Sequence, residues 1–292
     1  MTSVIIPAYN CRQTIDRALR SVESQTLPAS EIVVVDDGST DGTADLLAGW
    51  ERSGRLRLVR QPNGGPSPAR NHGVREARGP WVAFLDADDE FVPDALAQAR
   101  ATLAAHPAAR WLICDIIRIR PSREEHLTCD VPPGEVSSWL PAILEKNFVE
   151  RGHLFDKETL LAAGGYDESL RCFEDWELYI RLIQAGIPVA HVPRALYHYI
   201  ETQDSLTRNV PLMVASLAEV LRRHHRRLAR GGDPVFRRIY ARWMWRIARE
   251  YHYKLHRRRV ALGCLAESLR YDLDLGRLGH AIASRFAGRV QG

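Results

Sequence analysis

The chain has 292 residues, of which 45% are hydrophobic and 26% are charged. This is the composition of a folded globular protein, with length for one large α/β domain and an appendage. Its longest apolar runs, such as Ile32–Val35 and Trp81–Leu85, are far shorter than the roughly 20 residues that span a bilayer, so no transmembrane helix is expected. The first residues also lack the basic and apolar segments of a secretory signal.

The net charge of +4 is unevenly distributed along the chain. Residues 1–207 contain 21 basic and 30 acidic residues, whereas residues 208–292 contain 19 and 6. An acidic body followed by a basic tail predicts two domains, 1–207 and 208–292, with separate roles or with one acting as a docking surface.

Five scattered cysteines show neither a CxxC pair nor a histidine spacing typical of zinc sites. Free thiols in a reducing compartment are the simplest interpretation, which favours a cytoplasmic protein.

In chain order, short β-type runs alternate with helical patterns over the first hundred residues. Strands are predicted near 4–6, 31–35, 56–59 and 81–85, with helices near 15–22, 43–50 and 68–77 between them. Ile32–Val35 is continuously apolar and β-branched, as in a strand buried on both faces. This alternation predicts an α/β fold with a mostly parallel central sheet flanked by helices.

The later part of the chain is less regular. A strand is predicted over 111–120, followed by an irregular region and by helices near 138–146, 157–163 and 174–185. Two short strands near 188–192 and 196–200 follow, and after about residue 208 only arginine-rich helices are predicted.

Polar clusters follow several of the strands, where ligands bind in parallel α/β sheets. They are Pro7–Asn10, Asp36–Thr43 and Asp86–Asp89, and Glu174–Glu177 adds a later acidic cluster. Each also has a structural explanation as a turn, an Asx cap or an acidic helix start.

Together the clusters predict a cation site. Carboxylates gathered at one sheet edge would repel each other unless a cation relieved the repulsion. The Asp-x-Asp spacing of Asp86 and Asp88, without nearby Cys or His, suits Mg²⁺ or Mn²⁺, which is usually shared with substrate phosphates.

The sequence contains no P-loop and no Gly-x-Gly-x-x-Gly turn after the first strand. A nucleoside could instead stack on Tyr9 and present its base edge to Asp37. Arg70, at a predicted helix start, is suitably placed for a diphosphate.

These linked motifs, in this order and spacing, resemble those of the family 2 inverting glycosyltransferases with the GT-A fold, over roughly residues 1–207. The resemblance implies that Pro7, Tyr9 and Asp37 bind the nucleoside, usually uridine, and that Arg70 contacts the diphosphate. It further implies that Asp86 and Asp88 form the Asp-x-Asp motif.

By the same resemblance, Asp88 is the direct ligand of Mn²⁺ or Mg²⁺ and Asp175 is the general base, with Glu174 among the substrate-binding residues. The implied reaction transfers a sugar from a nucleotide diphosphate sugar to a hydroxyl of a glycan or lipid-linked acceptor, in cell-surface polysaccharide or glycolipid biosynthesis.

One departure concerns the third metal contact. Many relatives carry a histidine shortly before a Ser-x-Thr stretch, and aligning Ser205-Leu206-Thr207 with that stretch places Thr202 at the position. His198 lies nearby and is the candidate substitute, although a strand histidine is more often structural.

Three interpretations of the basic tail stay open: solvated helices packed on the body, peripheral contact with an anionic membrane, and nucleic-acid binding, for which no known module pattern is present.

Two alternative functions of the protein are also kept, a nucleotidyltransferase that makes nucleotide sugars and a non-catalytic nucleotide-sugar-binding protein. The first lacks its expected glycine-rich loop, and the retained Asp88 and Asp175 argue against the second.

Overall fold

A computed structural model describes residues 1–201 and 209–272. The chain divides into two compact units, Met1–Leu206 and Thr207–Gly292. The strands of the first unit within the described residues are β1 (Thr2–Ala8), β2 (Glu31–Asp36), β3 (Arg57–Arg60), β4 (Trp81–Phe84), β5 (Glu90–Phe91), β6 (Trp111–Arg120), β7 (Arg123–Leu127), β8 (Arg151–Asp156) and β9 (Val189–Ile200).

The helices of this unit lie between the strands, and one short 3₁₀ turn, Val136–Ser138, precedes the fifth of them. They are α1 (Ile15–Glu23), α2 (Thr43–Arg52), α3 (Pro66–Glu76), α4 (Ala95–Ala105), α5 (Leu140–Glu145), α6 (Lys157–Ala162) and α7 (Glu174–Gln184).

One sheet holds the strands in the order β3-β2-β1-β4-β8-β6-β9-β5, and β7 pairs with β6. The first four strands in this order are parallel to one another, as the alternating sequence pattern predicts. Beyond them the sheet is mixed, because β8 lies antiparallel between β4 and β6 whereas β6 and β9 are parallel. Consequently the carboxyl ends of β1, β2 and β4 meet at one edge.

β2 shows why its residues form a fully buried strand. Ile32 and Val34 pack into the main core, while Val33 and Val35 face the opposite side together with Ala69 of α3. Both faces are covered, so an uninterrupted β-branched run replaces the usual alternation. This confirms the interpretation of Ile32–Val35 as a strand buried on both faces.

The prediction of two short strands after residue 187 is wrong in one respect, because β9 is a single strand. The pairing with β6 shifts at two places. Pro193 and Arg194 are extra residues between the partners of Cys114 and Asp115, and Leu196 is an extra residue between the partners of Asp115 and Ile116. A proline has no N–H to donate to the ladder and is tolerated at such an irregularity.

The described part of the second unit is helical. α8 (Val210–Val220) runs through a π-helical turn, Leu221–His225, into α9 (Arg226–Arg230), and α10 (Pro234–Tyr253) and α11 (Arg258–Tyr271) follow. Its core includes Tyr240 and Met244 of α10, both fully buried. Among the described residues, no helix is long and apolar enough to cross a membrane.

Helix α3 lies unusually close to β1 because Gly73 has no side chain. A Cβ built at Gly73 would be 2.4 Å from Cγ2 of Ile5 and 3.3 Å from Cγ2 of Val35. Both partners belong to the buried sheet, so they have little room to move aside. The glycine therefore sets the distance between this helix and the sheet.

We expect Gly73→Ala to lower the free energy of unfolding by about 1–3 kcal/mol, the usual cost of overpacking a core. The matched control is Gly49→Ala, in the exposed part of α2, where an added Cβ would find its nearest atom 4.0 Å away. That change should be neutral or stabilising by up to about 1 kcal/mol, because alanine favours helix over glycine. Urea unfolding measures both, and equal effects would contradict the packing argument.

Candidate active site

A chain of alternating charges lies at the edge where β4 ends. Arg70, from α3, donates one hydrogen bond to Glu174 at 2.7 Å and one to Asp86 at 2.8 Å. Arg151, the first residue of β8, donates to the other oxygen of Asp86 at 2.9 Å and to Asp89 at 2.7 Å. Four separate elements are thereby connected through two guanidinium groups.

Burial makes these contacts strong. The Arg70 side chain is 9% exposed and that of Arg151 is 18% exposed. Burial alone would raise the pKa of Asp86, but the guanidinium groups of Arg70 and Arg151 hold it well below its usual range. Asp86 is therefore ionised at neutral pH.

The neighbouring acids are affected in the opposite direction. Burial raises the pKa of Glu174, against the attraction of Arg70, and the adjacent Asp175 adds to the increase. Burial also raises the pKa of Asp89, and Asp86 and Asp88 contribute. The site thus contains more carboxylates than its two arginines neutralise.

Asp88 lies on the turn after β4 and is half-buried. Its backbone carbonyl accepts a hydrogen bond from Arg17 at 2.6 Å, which fixes the turn. Burial and the charge of Asp86 raise the pKa of the Asp88 carboxyl group. Among the described residues, no side chain donates a hydrogen bond to the carboxylate oxygens of Asp88. This carboxylate therefore fits a hard divalent cation.

Asp175 occupies the first turn of α7, next to Glu174, and is half-buried. The residue before the helix, Phe173, has a left-handed backbone with φ of 61°. This conformation is costly for a large side chain and is retained where the surroundings impose it. Because Glu174 is bonded to Arg70, the start of α7 is anchored to the acidic turn that carries Asp86 and Asp88.

The predicted nucleoside residues lie at the carboxyl ends of β1 and β2. Pro7 lies within β1, and Tyr9 just after it is 51% exposed, as a stacking platform requires. Asp37 is instead buried, and its carboxylate accepts hydrogen bonds from the Gln61 side chain at 2.7 Å and from two backbone N–H groups, of Gly64 at 2.9 Å and Gly65 at 2.7 Å. In this structure Asp37 holds the loop that leads into α3.

The polar turn 36–43 is held by hydrogen bonds between side chains and backbone N–H groups. Asp36 accepts a hydrogen bond from the Ser39 backbone N–H at 3.1 Å, and Asp41 accepts from the Thr43 N–H at 2.9 Å. Asn10, with a left-handed φ of 47°, accepts from the Thr40 N–H at 2.8 Å. The side chains of this turn therefore stabilise its backbone, as Asx turns do.

His198 pairs with Glu90 across β9 and β5, and its Nδ1 lies 4.0 Å from a Glu90 carboxylate oxygen. The same glutamate binds Arg17 at 2.7 Å. The metal contact assigned to His198 stays a prediction. Thr202 and the Ser205-Leu206-Thr207 stretch lie outside the described residues.

Sequence reasoning did not assign Asp89 or Arg151. Asp89 belongs to the acidic run after β4, so a signal was present, although it did not distinguish the buried acid from the half-buried Asp88. Arg151 carries no motif and follows the irregular region of the sequence. Its place in the site depends on β8 inserting antiparallel beside β4.

A cluster of ligand-type side chains and a surface cavity are two further features, and neither includes Asp86 or Asp88. Asp115, Cys129 and His191 bring ligand-type atoms within 4.8 Å of one another. A surface cavity of about 390 Å³ is lined by the amino ends of β2 and β3, including Glu31 and Arg57, and so lies at the opposite edge of the sheet from the acidic turn.

Comparisons with known proteins agree with this architecture. The model of glycosyl transferase family 2 matches residues 3–127. The succinoglycan biosynthesis protein ExoO of Rhizobium meliloti (strain 1021) is 32% identical over 238 residues, which are 75% of this chain and 68% of that protein. The glycosyltransferase EpsJ of Bacillus subtilis (strain 168) is 29% identical over 225 residues, which cover 71% of this chain and 63%, less than two thirds, of that relative.

Two solved structures share the fold at low sequence identity. S. aureus TarS 1–349 in complex with UDP-GlcNAc has a TM-score of 0.66 at 19% identity, over 92% of this chain and 81% of that one. The mannosyltransferase PcManGT from Pyrobaculum calidifontis, in complex with GDP-Man and Mn²⁺, has a TM-score of 0.58 at 21% identity, over 98% and 79%. The predicted α/β fold of the GT-A type is confirmed by these structures. The match to the family model, together with the similarity to ExoO across three quarters of the sequence, shows that the chain belongs to glycosyltransferase family 2.

Proposed function

We propose that the protein is an inverting glycosyltransferase that transfers a sugar from a UDP-sugar to an acceptor hydroxyl, with Mn²⁺ or Mg²⁺ at the donor site. The observation that carries the proposal is the connection Glu174–Arg70–Asp86. It joins the helix start that carries Asp175 to the acidic turn that carries Asp88. The proposed base and the proposed cation ligand would thereby be held at a fixed distance from each other.

In the proposed mechanism Asp175 accepts the proton of the acceptor hydroxyl, and positioned bases of this kind contribute about 10²–10⁴-fold in rate. Asp88 would hold the cation, which supplies positive charge to the leaving diphosphate. Pro7 and Tyr9 would support the nucleoside, with the exposed ring of Tyr9 as the stacking surface. A single base with no covalent intermediate inverts the configuration of the sugar.

The choice of UDP and of a glycan pathway rests on relatives. TarS was solved with UDP-GlcNAc, whereas PcManGT was solved with GDP-Man and Mn²⁺. The similarity to ExoO, a succinoglycan biosynthesis protein, supports an acceptor on a growing polysaccharide or on its lipid-linked precursor. A nucleotidyltransferase or a non-catalytic binding protein remains the alternative for the same nucleotide site.

We expect wild-type protein to bind UDP more tightly with Mn²⁺ than without it. Asp88→Asn should remove the Mn²⁺ effect, since it removes the charge that would hold the cation. Asp175→Asn should keep metal-dependent UDP binding but lower UDP release from a UDP-sugar by about 10²–10⁴-fold. Calorimetry and a UDP-release assay measure the two effects.

Asp45→Asn is the matched control, because Asp45 is an exposed acid on α2, and it should change neither measurement. Unaltered metal dependence in Asp88→Asn would overturn the cation assignment. Full turnover in Asp175→Asn would overturn the base assignment, and a preference for GDP over UDP would overturn the uridine assignment.

We further propose that Arg151 stabilises the acidic turn, because it binds two buried carboxyl groups at once. Arg151→Met should lower the free energy of unfolding by about 3–5 kcal/mol, the usual cost of leaving a buried charge without its partner. Arg123→Met removes an arginine that is 58% exposed and bound to Glu125, so it should cost less than about 1 kcal/mol. Denaturant unfolding compares them, and similar losses would contradict the role of Arg151.

We also propose that the second unit contacts an anionic membrane surface. Arg238, Arg242, Arg246 and Arg249 are exposed and spaced three or four residues apart along α10, which places them on one face. Exposed Val235 and Tyr253 lie on the same face, near the two ends of the helix. Basic residues near anionic lipid contribute about 1 kcal/mol each.

Arg238→Gln/Arg249→Gln should therefore weaken binding to vesicles that contain phosphatidylserine by about 30-fold, because about 2 kcal/mol is removed. Co-sedimentation at low salt measures this. The control Arg75→Gln/Arg100→Gln removes two exposed arginines from the first unit and should bind as wild type does. Equal binding to neutral and anionic vesicles would contradict the proposal.

A further inference from the structure

Three chain segments bring different ligand-type side chains together on the sheet. Asp115 comes from β6, His191 from β9, and Cys129 from the segment just after β7. One ligand atom of each lies within 4.8 Å of the others. The Asp115 side chain is only 4% exposed, and Cys129 is also buried.

A fourth ligand-type group, His126 of β7, faces the same carboxylate. Nε2 of His191 lies 3.0 Å from one oxygen of Asp115, and Nε2 of His126 lies 3.7 Å from the other. The second distance is too long for a hydrogen bond. Ligand atoms about 2.0–2.1 Å from a tetrahedral ion are roughly 3.3 Å apart, so the atoms of His191 and Asp115, which now share a hydrogen bond, are spaced much as two ligands of one ion would be. His126 approaches the other oxygen of Asp115 and is not one of the three residues whose ligand atoms lie within 4.8 Å of one another, so its exposed imidazole would have to turn towards the ion.

Hydrogen bonds from neighbouring backbone groups fix the side chains of Asp115 and Cys129. The backbone N–H of Cys129 donates to Asp115 at 2.9 Å, which fixes the carboxylate. The backbone N–H of Glu150 donates to the Cys129 sulfur at 3.3 Å, an interaction that a thiolate ligand would strengthen. The thiol in turn donates to the Cys114 carbonyl at 3.2 Å, so metal binding would exchange that hydrogen bond for a bond to the ion.

We propose that Asp115, Cys129, His191 and His126 form a zinc site. The donor set is one thiolate, two imidazoles and one carboxylate, which suits tetrahedral Zn²⁺ and not the oxygen-preferring Mn²⁺ or Mg²⁺. This site is therefore chemically separate from the cation site proposed at Asp88. Binding would release the thiol proton, and the neutral imidazoles would each donate a nitrogen lone pair.

The site has a clear structural consequence. β6 and β9 pair irregularly at Asp115, where the register shifts on both sides of that residue, and the chain after β7 leaves the sheet. An ion held by residues from all three segments would close this irregular part of the sheet. The role is structural, because all four side chains serve as ligands and no open position is left for a substrate.

The distant positions of the ligands explain why the sequence predicts no zinc site. Zinc motifs are recognised by pairs of ligands two to five residues apart. Here His126 and Cys129 have such a spacing, but one histidine with one cysteine is not a typical zinc pair. Asp115 and His191 are 76 residues apart in the sequence. Only the pairing of β6 with β9 brings the four groups together.

The test uses full-length protein stripped with a chelator and then supplied with Zn²⁺ alone. We expect one Zn²⁺ per chain in a competition titration with a colorimetric chelator. Cys129→Ser and His191→Gln should each weaken binding by about 100-fold or more, because losing only a hydrogen-bond partner of a metal ligand already costs about 10–100-fold. His126→Gln should weaken it by about tenfold, because that side chain is 56% exposed.

The matched control is Cys264→Ser, which removes another buried free thiol, and Asp88→Asn tests independence from the donor site. Both should bind Zn²⁺ as wild type does. Substitution with Co²⁺ should give thiolate-to-metal charge-transfer absorption that disappears in Cys129→Ser and persists in Cys264→Ser. Should Cys129→Ser fail to fold, the exposed His126→Gln variant and the Co²⁺ spectrum of wild type still decide the outcome.

Less than one Zn²⁺ per chain, or no charge-transfer absorption with Co²⁺, would overturn the proposal. Loss of zinc in Asp88→Asn would also overturn it, since the ion would then belong to the donor site. Circular dichroism of each variant confirms that folding is retained.

Discussion

Burying two arginines among three carboxylates is the constraint on which the active-site edge depends. Each guanidinium group binds two acids, so Glu174, Asp86 and Asp89 are held in a fixed order. An isolated buried charge would cost several kcal/mol, and the alternation of sign avoids that cost. Three carboxyl groups thus share two guanidinium groups, before Asp88 is included. Burial raises the pKa values of Asp88 and Glu174, and the charges of Asp86 and Asp175, respectively, add to the increase. A divalent cation would relieve this repulsion.

Much of the first half of the fold could be predicted, because its signals are local. The β-branched run of β2 and the helical spacing of α1 are each contained within ten residues, and parallel pairing follows from their alternation. Because Asp86 and Asp88 directly follow a predicted strand, their position at a sheet edge follows from the same pattern. The positions of Arg151 and Asp115 could not be predicted this way. Arg151 depends on β8 inserting antiparallel between β4 and β6, and Asp115 depends on a register slip against β9.

Local chemistry and function also overlap in the polar turn after β2. Asp36 and Asp41 cap backbone N–H groups of the turn, and the Asp37 carboxylate anchors the loop before α3 through three hydrogen bonds. These bonds fully explain why short polar residues stand there. The nucleoside role of Asp37 therefore rests on the family resemblance, whereas the cation role of Asp88 also has support from its own surroundings.

Arg70 shows how one side chain can hold the site together and still have donors left for a ligand. Two of the five N–H groups of its guanidinium bind Glu174 and Asp86, so the proposed contact with a donor diphosphate does not by itself require either hydrogen bond to break. Removing the guanidinium group would leave the buried Glu174 carboxylate without its partner, at a cost of about 3–5 kcal/mol. In its present position Arg70 fixes the start of α7, and with it Asp175, against the turn that carries Asp88. This geometry favours Arg70 as the residue that sets the distance between the proposed base and the proposed cation. The positive charge that meets the diphosphate would then come from the cation and from the remaining N–H groups of Arg70.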